Sequence, residues 1–136
     1  EGVIKTGSQY PLQRKGYKKP AKLLYRDEGY PKDNYLARLV DCFEEHGCEL
    51  KATKYLHSFK LDGNFLVKVD LRRKNSVLVY LQDELASVVV EKGIACRSLY
   101  DSEVPNFPGY LCWAVQLSSH QDVDKFLEST KQVYGF

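Results

Sequence analysis

The chain has 136 residues, 43% of them hydrophobic and 28% charged, with 20 basic side chains against 18 acidic ones. That is enough for one domain with a buried core, and the composition excludes global disorder. No apolar run approaches about 18 residues, which excludes a transmembrane helix, and no internal repeat points to a solenoid or coiled coil.

The near-balanced charge is the sum of two unlike parts. Residues 1–32 carry eight basic side chains against three acidic ones, a net +5, while the remainder holds twelve against fifteen, a net −3. This arm also holds Pro11, Pro20 and Pro31 with Gly2, Gly7, Gly16 and Gly29, punctuation that breaks both helical and strand periodicity. Tyr10, Tyr17, Tyr25 and Tyr30 recur among the cations, with Tyr35 just beyond them. Disordered linkers are usually poor in aromatic residues, so partial order is expected, with residues 21–25 laid against the body. The opening EGVIKTGSQY lacks a signal-peptide core, and methionine is absent throughout. The chain therefore reads as a trimmed, processed or excised segment with an intracellular, cytoplasmic location.

From Asp33 the text becomes regular. Leu36, Leu39, Val40 and Phe43 fall at the spacing of an amphipathic helix, with Asp33 or Asn34 as N-cap and Gly47 as its stop. Residues 54–61 and 64–71 flank Asp62-Gly63, a strong hairpin signal. In the second of these strands Phe65, Val67 and Val69 alternate with Leu66, Lys68 and Asp70. The turn Arg72-Arg73-Lys74-Asn75 leads to a third strand at 76–81, with Val77, Val79 and Leu81 on one side. Residues 82–92 suit a short helix that buries Leu85, Val88 and Val89 and stops at Gly93, although the run Val88-Val89-Val90 also reads as a strand. Strands are expected at 94–100 and 110–117, the latter centred on Trp113, around a loop at 101–109. Ser119 and Asp122 open a last helix with Val123, Phe126 and Leu127 inward, running to about Tyr134. The expected class is α+β: an antiparallel sheet with helices on one face, over residues 33–136 as a single domain behind an arm at 1–32.

Chemistry is sparse. Cys42, Cys48, Cys96 and Cys112 form no CxxC motif, so free buried thiols are expected and neither a metal site nor a cofactor is. No nucleophile elbow, zinc-protease or phosphate-loop motif occurs. A nucleophilic pair of Cys96 or Cys112 with His57 remains open, because such partners converge only in space. The carboxylates Asp70 and Asp83, and the stretch 101–103, are ordinary surface chemistry. The reading leans towards a non-catalytic protein.

The turn at Arg72, Arg73 and Lys74 is more suggestive. Three cations at the tip of a two-stranded ribbon make a positive wing suited to a phosphate backbone. Lys51, Lys54, Lys60 and Lys68 add to its field, depending on the faces they take. In the arm, Arg14, Lys15, Lys18, Lys19, Lys22 and Arg26 are the matching cations, with Tyr17 among them as a stacking residue.

The stretch Phe59-Lys60-Leu61-Asp62-Gly63-Asn64-Phe65-Leu66-Val67, the strand at 77–81, and Trp113-Ala114-Val115-Gln116-Leu117 through Val133-Tyr134 resemble the MmcQ/YjbR-like family. Lys54-Tyr55-Leu56-His57-Ser58-Phe59-Lys60 with Asn64-Phe65 also resembles an uncharacterised domain fused to PD-(D/E)XK-type nucleases. The resemblance covers roughly residues 34–136. It implies a small α+β domain of the double-wing, DNA-binding kind and supplies no catalytic residues. The expected function is a non-catalytic nucleic-acid-binding module that uses the arm and the turn and has no membrane partner. The alternative is a protein-interaction or assembly domain, excised from a larger defence protein or viral polyprotein. There Phe107-Pro108-Gly109-Tyr110 and the tyrosines would contact a protein partner or a neighbouring domain of the parent chain.

Overall fold

The computed structural model describes residues 27–136, so the arm up to Arg26, including the segment 21–25, lies outside the described residues. In chain order the elements are α1 (Pro31–Glu45), β1 (Glu49–Ala52), β2 (Leu56–Leu61), β3 (Asn64–Asp70) and β4 (Val77–Leu81), then α2 (Asp83–Glu91) and β5 (Cys96–Ser98). A short 3-10 turn (Val104–Asn106), β6 (Trp113–Leu117) and α3 (His120–Tyr134) complete them. The six strands form one antiparallel sheet in the order β1-β2-β3-β4-β6-β5. The fold is α+β. No helix among the described residues is long and apolar enough to cross a membrane.

Helix α1 begins earlier than its apolar stripe predicts. Pro31 occupies its first position, where a missing N–H costs nothing. Asp33 caps from inside the first turn, its carboxylate accepting the N–H groups of Glu28 and Tyr30 at 2.9 Å each. The helix thus takes its first two residues from the stretch read as arm. Its stripe of Leu36, Leu39, Val40 and Phe43 is at most 1% exposed.

The hairpin forms at Asp62-Gly63, both with positive φ (52° and 84°), the pairing that a two-residue turn between twisted strands requires. Strict alternation then fails. Phe59 pairs with Val67 but Lys60 pairs with Phe65, so Leu66 is an extra residue in a β-bulge. Leu66 and Val67 both enter the core, and Phe65, expected beside Val67 and Val69, is turned to the opposite face.

The remaining expectations meet their limits at strand ends. The edge strand β1 was not foreseen: it has four residues and only Leu50 and Ala52 partly buried. β2 starts at Leu56, because Thr53 donates its N–H to the Leu56 carbonyl across a tight turn. β5 is cut to three residues where Glu103 accepts the N–H of Tyr100, and β6 begins only at Trp113. In α2, Ala86 joins Leu85 and Val89 as a buried residue, while Val88 is half-buried. In α3, Val123 and Phe126 are buried as expected, and Leu127 is half-buried. Ser119 accepts the N–H of Asp122 at 3.0 Å to cap the helix.

The three helices cover one face, on which Phe59, Val67, Val69, Val77, Val79, Leu81, Val115 and Leu117 form the main core with α1, α2 and α3. The other face is covered over only part of its width. Leu78, Tyr80 and Ala114 meet Leu99 and Phe107 from the loop after β5; among the described residues this second cluster does not extend over β1, β2 and β3.

Candidate functional site

Pairing register identifies what lies on this face over β1, β2 and β3. Directly opposed residues share a face, so Lys51, Ser58, Lys68, Tyr80, Ala114 and Arg97 form one row across all six strands. Glu49, Lys60 and Phe65 form the next row, one step closer to the hairpin. Lys60 and Lys68 thus gather around one aromatic ring, at the place where the bulge has turned Phe65 outward, while Lys51 stands on the edge strand opposite Ser58. The Lys68 ammonium lies 3.8 Å from the centre of that ring and the Lys60 ammonium 5.1 Å. Neither lysine forms an ion pair among the described residues, and Lys51 has a loose, exposed one to Glu49 at 3.8 Å. The Lys68 pKa is lowered, first by partial burial and then by the nearby positive charge of Lys60. Two like charges are thus held close together on one ring, with Glu49 opposite Lys60 across the neighbouring strand.

The neighbouring loop is locked. Glu103 receives two hydrogen bonds from the Arg97 guanidinium (2.8 and 3.0 Å), one from the Tyr80 hydroxyl (2.8 Å) and one from the Tyr100 N–H (2.7 Å). These donors, the guanidinium first, hold its carboxyl down to about 2 against the cost of partial burial. Phe107 stacks on Tyr80 with ring centres 4.1 Å apart. The loop is therefore a fixed wall beside the lysines.

At the end of the sheet that carries Phe65, the Tyr110 hydroxyl accepts the N–H of Phe65 at 3.0 Å. Tyr110 also borders an open groove of about 690 Å³ lined by Gln82, Asp83, Glu84, Cys112 and Trp113. The indole N–H of Trp113 donates to the Asp83 carboxylate at 2.7 Å, which fixes the ring in the groove wall.

The basic turn departs from its expected form. Arg72, Arg73 and Lys74 are exposed, but the turn is tied down rather than protruding. Arg72 lies along the buried Asp70 carboxylate, which also accepts its backbone N–H at 2.9 Å. The Lys74 carbonyl accepts the N–H of Lys32, and its ammonium sits 5.1 Å from the centre of the Tyr30 ring. Lys32 reaches across to the Leu71 carbonyl at 2.8 Å. Of the three cations, Arg73 alone has no such anchor among the described residues. The arm candidates Arg14, Lys15, Tyr17, Lys18, Lys19, Lys22 and Arg26 lie outside the described residues. The lysines of the sheet were visible in the sequence, but their common face depends on register and on a bulge that no spacing rule locates.

The cysteine and histidine chemistry does not assemble. His57 is fully buried on the helical face, and its row runs Ala52, His57, Val69, Val79, Val115, Cys96. Four strand spacings therefore part His57 from Cys96, about 19 Å. Cys112 precedes β6, three strands from β2, and is exposed rather than buried. Cys48 is buried, and that burial pushes its thiol up to about 11; Cys42 and Cys96, half-buried, are also raised by desolvation. A nucleophilic thiol needs the opposite shift. Asp70 and Glu103 are held by arginines and Asp83 by the indole. No group of three or more His, Cys, Asp or Glu among the described residues is placed to hold a metal ion.

No family model, curated protein or solved structure matches the chain.

Proposed function

We propose that this chain is a non-catalytic nucleic-acid-binding module whose contact surface is the face of β1, β2 and β3 opposite the helices. The observation that carries this reading is the gathering of Lys60 and Lys68 around Phe65, with no ion pair from either lysine among the described residues. Cations whose charge is not cancelled within the fold gain most from a polyanion, because neutralising phosphates releases condensed counterions. Arg73 and Lys74 extend the field at the far end of β3. The arm cations Arg14, Lys15, Lys18, Lys19, Lys22 and Arg26, with Tyr17, belong to the same reading through their charge and composition. Resemblance to the double-wing family agrees with this function.

The test is a titration of labelled single-stranded and duplex DNA and RNA at several salt concentrations. The double variant K60A/K68A is expected to weaken binding and to make the slope of log K against log salt shallower by about 1.5. Changing Arg72, Arg73 and Lys74 together to alanine is expected to do less, because Arg72 is already neutralised by Asp70. Unchanged affinity and slope in K60A/K68A would remove the sheet face from the account.

A second reading rests on the wall loop. Tyr100, Val104 and Tyr110 are 60%, 55% and 43% exposed, an apolar set suited to a protein partner. Phe107, expected in that patch, is committed to Tyr80 instead. A salt-insensitive oligomer on size exclusion, with no nucleic-acid binding, would favour this interaction module.

A further inference from the structure

We infer that two copies of this chain pair through the outer edge of β1, joining their sheets into one. Strand β1 stands first in the strand order, and among the described residues no strand lies on its outer side. The hydrogen-bonding pattern shows which of its backbone groups face outward. Thr53 donates its N–H to the Leu56 carbonyl, and these two residues continue the register in which Ala52 opposes His57. Hydrogen-bonded and non-hydrogen-bonded positions alternate along an antiparallel pair. Lys51 and Glu49 therefore bond to β2, while Leu50 and Ala52 turn their N–H and C=O groups outward. These are the alternate groups that an added antiparallel strand takes up.

Charge selects the occupant and its register. A two-fold axis at Leu50 sets Leu50 against its own counterpart, both with outward backbone groups, and sets Glu49 of each copy against Lys51 of the other. Moving the axis one residue along sets lysine against lysine or glutamate against glutamate, which repels. An axis between two residues opposes Leu50 to a residue whose groups β2 already holds. Lysine at a sheet edge ordinarily deters strand addition, but Glu49 two positions away makes this edge complementary to itself. Both side chains are exposed and joined only by their loose 3.8 Å contact, so they exchange partners at little cost. On the helical face Leu50, already packed against the main core, meets its counterpart. Directly opposed residues share a face, so the two lysine faces lie on one side of the joined sheet. Their Phe65 positions are then five strand spacings apart, roughly 24 Å. The dimer does not depend on the nucleic-acid reading; where that reading holds, pairing doubles the cationic face offered to one polyanion.

Sedimentation velocity of the full chain at low salt, without nucleic acid and over a wide concentration range, tests the pairing. Expected is a monomer–dimer equilibrium that weakens with added salt, unlike the salt-insensitive oligomer of the wall-loop reading. E49K and K51E each place like charges across the axis and should weaken dimerisation about tenfold. An equimolar mixture of the two variants should recover it as a mixed pair, because the lysines of one then face the carboxylates of the other. Thermal melts establish that both variants stay folded. A chain that is monomeric throughout, its edge left bare or covered by residues of the same chain, overturns the pairing. So does a dimer that neither substitution weakens, or a mixture that recovers nothing. Because no nucleic acid is present, either result leaves the nucleic-acid reading to its own titrations.

Discussion

At the scale of the residue, His57 is an ionisable group held in the core. Burial is the larger influence and lowers its pKa to about 4, against the weaker opposing effect of a backbone hydrogen bond at Leu56. The unfolded chain takes up a proton near 6.5 and the folded chain only near 4, so stability is complete above 6.5 and falls as pH drops towards 4. Over that window the loss amounts to about 3 kcal/mol. Urea unfolding midpoints between pH 8 and pH 4 should show it, and His57→Leu should flatten the profile across this range. Glu103 acts in a lower window. Its depressed carboxyl stabilises the fold above about 4.5 and loses that contribution as pH falls towards 2. Glu103→Gln keeps the shape but weakens the grip on Arg97 and Tyr80. It is expected to cost about 2 kcal/mol at neutral pH, read from the shift of the denaturation midpoint.

At the scale of the element, the bulge in β3 decides which residue enters the core and which faces the lysines. Leu66→Ala should destabilise the fold by about 2–4 kcal/mol, because it opens a cavity in the core. Phe65→Ala should leave the melting temperature nearly unchanged and lower nucleic-acid affinity. Strict alternation would assign the larger stability loss to Phe65, so thermal melts of the two variants test the register directly. Much of the element inventory was legible because it rests on local signals: the α1 stripe, Asp62-Gly63, and Ser119 with Asp122. The bulge was not, because a period of two has no place for an extra residue. β1 was missed for a different reason. Four half-exposed residues at a sheet edge carry almost no hydrophobic pattern, and what defines them is the partner strand. Pro31 read as a breaker although it starts the helix, since only the Asp33 carboxylate reaching back reveals the cap. At the candidate site the lysines themselves could be read, but the face they share is a property of pairing.

At the scale of the whole molecule, the sheet has two faces with different duties. One is closed by three helices. The other is partly closed by a loop fixed through Glu103, and over β1, β2 and β3 it carries Lys51, Lys60 and Lys68 with Glu49, Ser58 and Phe65. The slight formal charge of +2 does not show how charge is placed: on the lysine face Glu49 lies opposite Lys60 and pairs with Lys51. Acidic groups line the groove at the start of α2, and Asp70 is already neutralised by Arg72. Binding should accordingly fall steeply with added salt even though net charge would suggest little, a contrast visible in the same titrations that test K60A/K68A.

The strand order has a consequence for how the chain is assembled. β6 lies between β4 and β5, although it is the last strand to be made. Until residues 113–117 emerge, β4 has an unpaired edge and β5 has no partner at all. The first three hairpin-linked neighbours of β4 complete themselves locally, but the sheet closes only when its final strand slides into a gap left open for it. Any truncation ahead of Trp113 therefore removes more than an end. It leaves an exposed apolar strand edge of the kind that recruits other chains, and solubility of a 1–112 fragment should collapse well before its local hairpin is lost.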